Sequence, residues 1–156
     1  MGRLFLLNVK VAALTRFPQK GSPPEVIPEV RLLAGVGMEG NFLTGGNRQL
    51  CLLTKEQRNW LELPEAKKGL CTRRFKENLL LDCPPGKLLP PGGQLKIGQA
   101  VLKINPELKP CFAECQLYIH RADCRLLGSA VFAVVLRGGL VRVGDDACLD
   151  RPSEGR

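Results

Sequence analysis

Twelve prolines and seventeen glycines interrupt a chain of 156 residues every few positions. Proline can continue neither a helix nor a central strand, and glycine marks turns, so the chain is confined to short elements. Several short strands, a single helix and many turns predict a fold that is mainly β with few helices, of the α+β class, closed as a small mixed β-barrel. The length suits one hydrophobic core rather than two. We therefore place one domain over residues 1–149 and a frayed tail over residues 150–156.

The elements can be read between the breaks. Gly2 to Val11 has strand character, and KGSPPEVIPEV after it reads as a proline-rich surface loop. Arg48 to Leu53 is a mostly apolar run of strand length that leads into the one convincing helix. There Thr54 and Gln57 have the spacing of a capping box, KEQRNWLEL follows, and Pro64 stops it. Trp60 is expected to pack that helix on the core. Gly98-Gln99 is suited to close LKI and AVLKI into a hairpin, and Gly138-Gly139 to join Val131–Leu136 to Leu140–Val143 in the same way.

No apolar run approaches the about 20 residues that span a bilayer. The amino-terminal apolar stretch is broken by Asn8 and Lys10, and Leu6 stands where a myristoylation signal needs Ser or Thr. With no secretory signal, seven cysteines point to free thiols in a reducing compartment, so a soluble cytoplasmic protein is expected, without a membrane partner. The net charge of +8 favours an anionic partner. Aromatic residues are only 5% of the chain, too few for the stacking platforms of single-strand binding, so a phosphorylated or otherwise anionic small molecule is preferred to nucleic acid.

The densest chemistry lies in KPCFAEC and the residues after it, where Cys111, Cys115 and Cys124 fall within one short stretch. A thiolate is a soft metal ligand and also the nucleophile that can carry a persulfide, and both roles require a lowered thiol pKa. Lys109, His120, Arg121 and Arg125 supply nearby positive charge, whereas Glu114 beside Cys115 opposes it. Taken with His120, the three cysteines form C-x3-C-x4-H-x3-C, similar to a zinc knuckle shifted by one residue. A zinc-stabilised nucleic-acid-binding module is thus an alternative reading. Elsewhere, Arg48 offers a planar fork for a phosphate, and the Asn78 amide can both donate and accept, to pin a turn or to meet a ligand edge. Arg73, Arg74 and Lys76 read as a solvated basic face.

In order along the chain, the punctuated segments resemble a MOSC domain, the module named for the carboxy-terminal part of molybdenum-cofactor sulfurases. Gly37-Met38-Glu39-Gly40-Asn41 resembles the family's GxxGD loop, and Arg48-Gln49 before Leu50–Leu53 resembles its RQ-plus-strand step. Phe75-Lys76-Glu77-Asn78-Leu79 matches F-x-EN-[IL], LPPGGQLKIGQAVLKI matches its hairpin, and Val131–Asp145 matches its VFARV-x-x-GG-x-I-x-VGD ending. The resemblance implies a MOSC, or pyruvate-kinase-barrel-like, mixed β-barrel of the small stand-alone type.

It also implies a function in molybdenum-cofactor handling: binding molybdopterin or a precursor, carrying sulfur on a cysteine for molybdoenzyme maturation, or both. A non-catalytic delivery or scaffold protein is the variant of that reading without turnover. In family members that reduce N-hydroxylated compounds a cysteine ligates molybdenum, and the matching position is Cys115, with Cys111 and Cys124 as second thiols. Gly40, Asn41, Arg48, Gln49 and Asn78 are the expected cofactor-binding residues. Cofactor-biosynthesis enzymes or a cysteine desulfurase would be partners, and pyridoxal phosphate is not expected in this chain. Asn41 and Leu43 replace the Asp and His of the family loop, and Phe112 replaces a histidine, so binding is implied more firmly than turnover.

Overall fold

The computed structural model describes residues 9–42, 44–64, 76–84, 89–105 and 132–150. Its elements follow in the order β1 (Val9–Arg16), β2 (Glu25–Ile27), β3 (Glu29–Leu33), β4 (Gly37–Met38), β5 (Leu50–Thr54), α1 (Lys55–Leu61), β6 (Leu79–Asp82), β7 (Gln94–Ile97), β8 (Ala100–Ile104), β9 (Phe132–Arg137), β10 (Gly139–Arg142) and β11 (Asp146–Asp150). Among the described residues no helix is long and apolar enough to cross a membrane.

Strand alternation explains the barrel. Leu95 and Ile97 point inward and Lys96 outward; Ala100, Leu102 and Ile104 do the same on β8, as do Ala133 and Val135 on β9. In β1, Val9 and Val11 are buried while Lys10 is exposed, and a register shift between Val11 and Ala13 resets the phase so that Leu14 also faces the core. The sheet runs β11-β7-β8-β9-β5-β6-β1, and Val9↔Ala147 pairing of β1 with β11 closes it into a seven-stranded barrel. β2 is appended to the far end of β1 through Leu14↔Ile27 and Arg16↔Glu25. All neighbours in the ring are antiparallel except β5 and β6, which run parallel with Leu52 opposite Leu79. A smaller sheet, β10-β3-β4, adds Val30, Leu32, Met38 and Val141 to the same apolar cluster.

α1 makes the connection between the parallel pair. Thr54 caps it by accepting from the Gln57 backbone N–H at 3.1 Å, and the Gln57 side chain accepts from the Thr54 N–H at 3.0 Å, which completes the expected capping box. Trp60 and Leu61 are buried where the helix meets β5 and β6, as expected of Trp60. This cover accounts for the solid burial of Leu52, Leu53 and Thr54, which do not alternate.

The hairpin of β7 and β8 forms at Gly98-Gln99 with Ile97 opposite Ala100. Two expectations need correction. The proline-rich stretch is not only loop: β2 and the start of β3 lie within it, because its prolines flank the strands instead of interrupting their ladders. The Gly138-Gly139 hairpin does not form. β9 pairs with β5 and β8, whereas β10 pairs with β3, so the two glycines carry the chain from the barrel to the smaller sheet. Their φ angles lie outside the left-handed region; what demands glycine is contact. A Cβ on Gly138 would sit 2.5 Å from the Leu32 carbonyl oxygen, and one on Gly139 would sit 3.0 Å from the Ala100 nitrogen. β11 is a strand that the sequence reading did not anticipate. Residues 1–8, at the start of the expected first strand, lie outside the described residues, and β1 runs on past Val11 to Arg16.

Candidate functional site

One end of the barrel gathers the residues singled out from the sequence. It is formed by the last residues of β1, the first residues of β5 and β6, and the turn after β4, with Phe132 of β9 opposite Cys51. Asn78, immediately before β6, is its hub. The Asn78 backbone N–H donates to the Cys51 carbonyl at 2.8 Å, and the Thr15 N–H donates to the Asn78 carbonyl at 2.9 Å. The side chain repeats these links: its Oδ1 accepts from the Cys51 N–H at 3.0 Å, while Nδ2 donates to the Thr15 carbonyl at 3.2 Å and to Asn41 Oδ1 at 3.3 Å. Asn41 Oδ1 also accepts from the Phe17 N–H at 2.9 Å. Asn41 and Asn78 are both buried, and their amides tie β1, β5, β6 and the glycine turn together.

Gln49, likewise buried, works on the other side of β5. Its Nε2 donates to the Gly46 carbonyl at 3.0 Å and its Oε1 accepts from the Val135 N–H at 2.9 Å, which fixes the approach to β5 against β9. Gly40 has φ +85°, and a Cβ there would meet Arg16 Cδ at 2.7 Å. The space beside it is therefore filled by the Arg16 stem, whose guanidinium pairs with Glu25 at 2.9 Å. Arg48 differs from these: it is exposed, with its guanidinium 4.8 Å from the Phe132 ring centroid. A guanidinium stacked on a ring keeps its N–H edge directed outward, where a planar anion can meet it.

Sequence reasoning missed two contributions to this end. Arg58 of α1 forks onto Glu77, with Nε donating to Oε2 at 2.9 Å, and also reaches Glu62 at 3.1 Å. Burial opposes its charge, yet Glu77 and then Glu62 hold its pKa above the ordinary value. The pair clamps the helix to the residue before Asn78, across a sequence separation that no local pattern reveals. Lys76, read as part of a solvated face, places its Nζ 5.7 Å from the Phe17 ring centroid. Arg73 and Arg74 lie outside the described residues.

Cys111, Cys115, His120 and Cys124 also lie outside the described residues, within 106–131. The Asn105 N–H donates to the Phe132 carbonyl at 2.8 Å, and Phe132 stands opposite Cys51 on β5. The chain thus leaves and rejoins the barrel in the row that contains Cys51 and Asn78, beside Arg48.

Among the described residues no group of His, Cys, Asp and Glu could hold a metal ion. The described cysteines are Cys51 and Cys83, each half-buried, and Cys148, which is exposed. Burial, and then the neighbouring Asp82 charge, push the Cys83 thiol up from 9.0 to about 11. Folding thus favours the neutral thiol: its contribution to stability is present below pH 9.0 and is lost as pH rises through about 11. In timed iodoacetamide labelling at pH 7.5 read by peptide mass spectrometry, Cys148 is expected to react well before Cys83. Equal rates would contradict the burial of Cys83.

No protein-family model matches the chain, and no curated protein matches it. Solved structures do. YuaD from Bacillus subtilis superposes with a TM-score of 0.66 at 19% identity, covering 97% of this chain and 98% of that one. YiiM from Geobacillus stearothermophilus gives 0.58 at 17% identity over 94% and 77% of the two chains. YiiM from Escherichia coli gives 0.51 at 23% identity over 97% and 70%. These neighbours are MOSC-domain proteins, and the fold of this chain is MOSC-like.

Proposed function

We propose that this chain binds molybdenum cofactor, or a precursor of it, at the barrel end built around Asn78, and that Cys115 is the residue that ligates the metal or accepts sulfur. The observation that carries the reading is the anchoring of segment 106–131, which holds Cys111, Cys115 and Cys124: it is rooted at Asn105 and Phe132, beside the Asn41–Asn78 network and Arg48. The sequence resemblance to MOSC domains implies the same ligand class.

The residues fit such a group in different ways. Arg48 presents a cationic fork suited to an anionic substituent, and Cys115 supplies a soft sulfur. The Asn41, Gln49 and Asn78 amides are engaged with the protein itself, so they hold the barrel end rigid for whatever binds there. Bound molybdenum would supply two-electron redox chemistry of the kind that reduces N-hydroxylated compounds. A protein that instead carries sulfur would accept it as a persulfide on Cys115 from a cysteine desulfurase, with Cys111 or Cys124 able to resolve it.

The test is elemental analysis and pterin fluorescence on protein made in a cofactor-producing host, together with labelled-sulfur transfer from a cysteine desulfurase. Wild type is expected to carry molybdenum with pterin, or labelled sulfur, and Cys115→Ser to fall to background. Equal cofactor and equal sulfur in both proteins would overturn the assignment. Stoichiometric zinc that is lost in His120→Ala would transfer support to the zinc reading.

A further inference from the structure

Two cations stand on the rim of the barrel end, and the proposed function uses only Arg48. Thr15, Asn78, Cys51 and Phe132 form one row across β1, β6, β5 and β9: Asn78 is bonded to Thr15 on one side and to Cys51 on the other, and Cys51 stands opposite Phe132. Beyond that row the chain enters β5 and β6 from the same direction, because these strands are parallel. Arg48 lies on the approach to β5, with its guanidinium 4.8 Å from the Phe132 ring centroid. Lys76 lies on the approach to β6, with its Nζ 5.7 Å from the Phe17 ring centroid. Both cations are exposed, and the Phe17 ring is buried beneath its lysine. The two rings flank the row at β1 and β9, so at about 4.8 Å per strand they stand roughly 14 Å apart.

We infer that this rim takes an elongated small molecule with an anionic group at each end, one received by Arg48 and the other by Lys76. A cation held against a ring has already given up part of its side-chain freedom, so less is lost when an anion arrives. Nearby carboxylates are turned to other partners: Glu77 to Arg58, and Glu25 to Arg16. Between the cations, the Asn41 and Asn78 amides bind the barrel's own strands, so they act as a spacer of fixed length. The inference rests on the barrel end being the ligand site, and it adds a second anionic group to the ligand class.

The test is isothermal titration calorimetry of the full chain, free of metal and pterin, with two probes of equal charge. Extended octamethylene bisphosphonate is comparable in length to the gap between the rings, whereas ethylene bisphosphonate is too short to bridge it. A linker strengthens binding only when it spans both sites. Lys76→Gln is expected to weaken the long probe about tenfold or more and the short probe about twofold, since the short probe keeps Arg48. Lys76→Arg should retain the long probe. Lys55→Gln, which removes an exposed charge at the start of α1, beyond the opposite end of β5, should weaken either probe no more than about twofold. Equal losses of the two probes in Lys76→Gln, or a loss in Lys55→Gln as large as in Lys76→Gln, would overturn the inference. The cofactor reading is decided separately by molybdenum and pterin content, so either can fail while the other stands.

Discussion

Asn78→Ala is expected to lower the free energy of unfolding by about 3 kcal/mol, read from urea denaturation of the whole chain. The truncation takes the side-chain acceptor from the Cys51 N–H, the side-chain donor from the Thr15 carbonyl, and one of two donors from Asn41 Oδ1, which keeps the Phe17 N–H. Each buried group left without a partner costs about 1–3 kcal/mol, with partial relief from solvent at the barrel end. Asn78→Asp separates the two halves of the amide. Its carboxylate still accepts from the Cys51 N–H, but its second oxygen faces two acceptors. That variant is therefore expected to be destabilised at neutral pH and to recover as the pH falls toward about 4, the value of an unfolded aspartate, because a protonated carboxyl can donate again. The folded state favours the protonated form, so the recovered stability is present at low pH and is lost as pH rises. A loss below about 1 kcal/mol for Asn78→Ala would show that the network does not hold the strands, leaving the amide for a ligand alone.

Gly138→Ala should cost at least as much, about 3 kcal/mol or more, or abolish soluble expression. The added Cβ would lie 2.5 Å from the Leu32 carbonyl oxygen, and that atom belongs to the backbone of a paired strand, which has no rotamer through which to retreat. Gly144→Ala provides the comparison. Its φ of +96° imposes backbone strain, but nothing lies within 4 Å of the new carbon, so about 1–2 kcal/mol is expected. Thermal unfolding of the two variants ranks them directly. If Gly138→Ala melted within the range of Gly144→Ala, the close approach of β3 to the chain between β9 and β10 would be wrong.

These two positions show how much of the molecule the sequence reveals. The capping box of α1 and the β7–β8 hairpin were legible because their determinants sit within a few residues of one another. Gly138-Gly139 misled because a pair of glycines looks the same whether it turns a hairpin or lets two layers touch, and the difference is set by Leu32, far away in sequence. β2 was hidden for a related reason: prolines outside a three-residue edge strand resemble prolines within a loop. At the barrel end, residue matching singled out Asn41, Gln49 and Asn78, and the structure buries all three. Their bonds, however, run to the backbone of Thr15, Phe17, Gly46, Cys51 and Val135, groups that every residue possesses and no motif can mark.

A closed ring of strands obeys a parity rule. Neighbours can alternate in direction all the way round only if their number is even, so a ring of seven must contain at least one pair that points the same way. Here that pair is β5 and β6. Two adjacent strands with the same heading begin at the same rim, which is why Gln49 and Asn78, one before each strand, emerge together. The odd count also obliges the chain to travel the length of the barrel on its outside between the two, the path on which α1 lies. The shared rim of Gln49 and Asn78 thus follows from the arithmetic of closure, before any side chain is chosen.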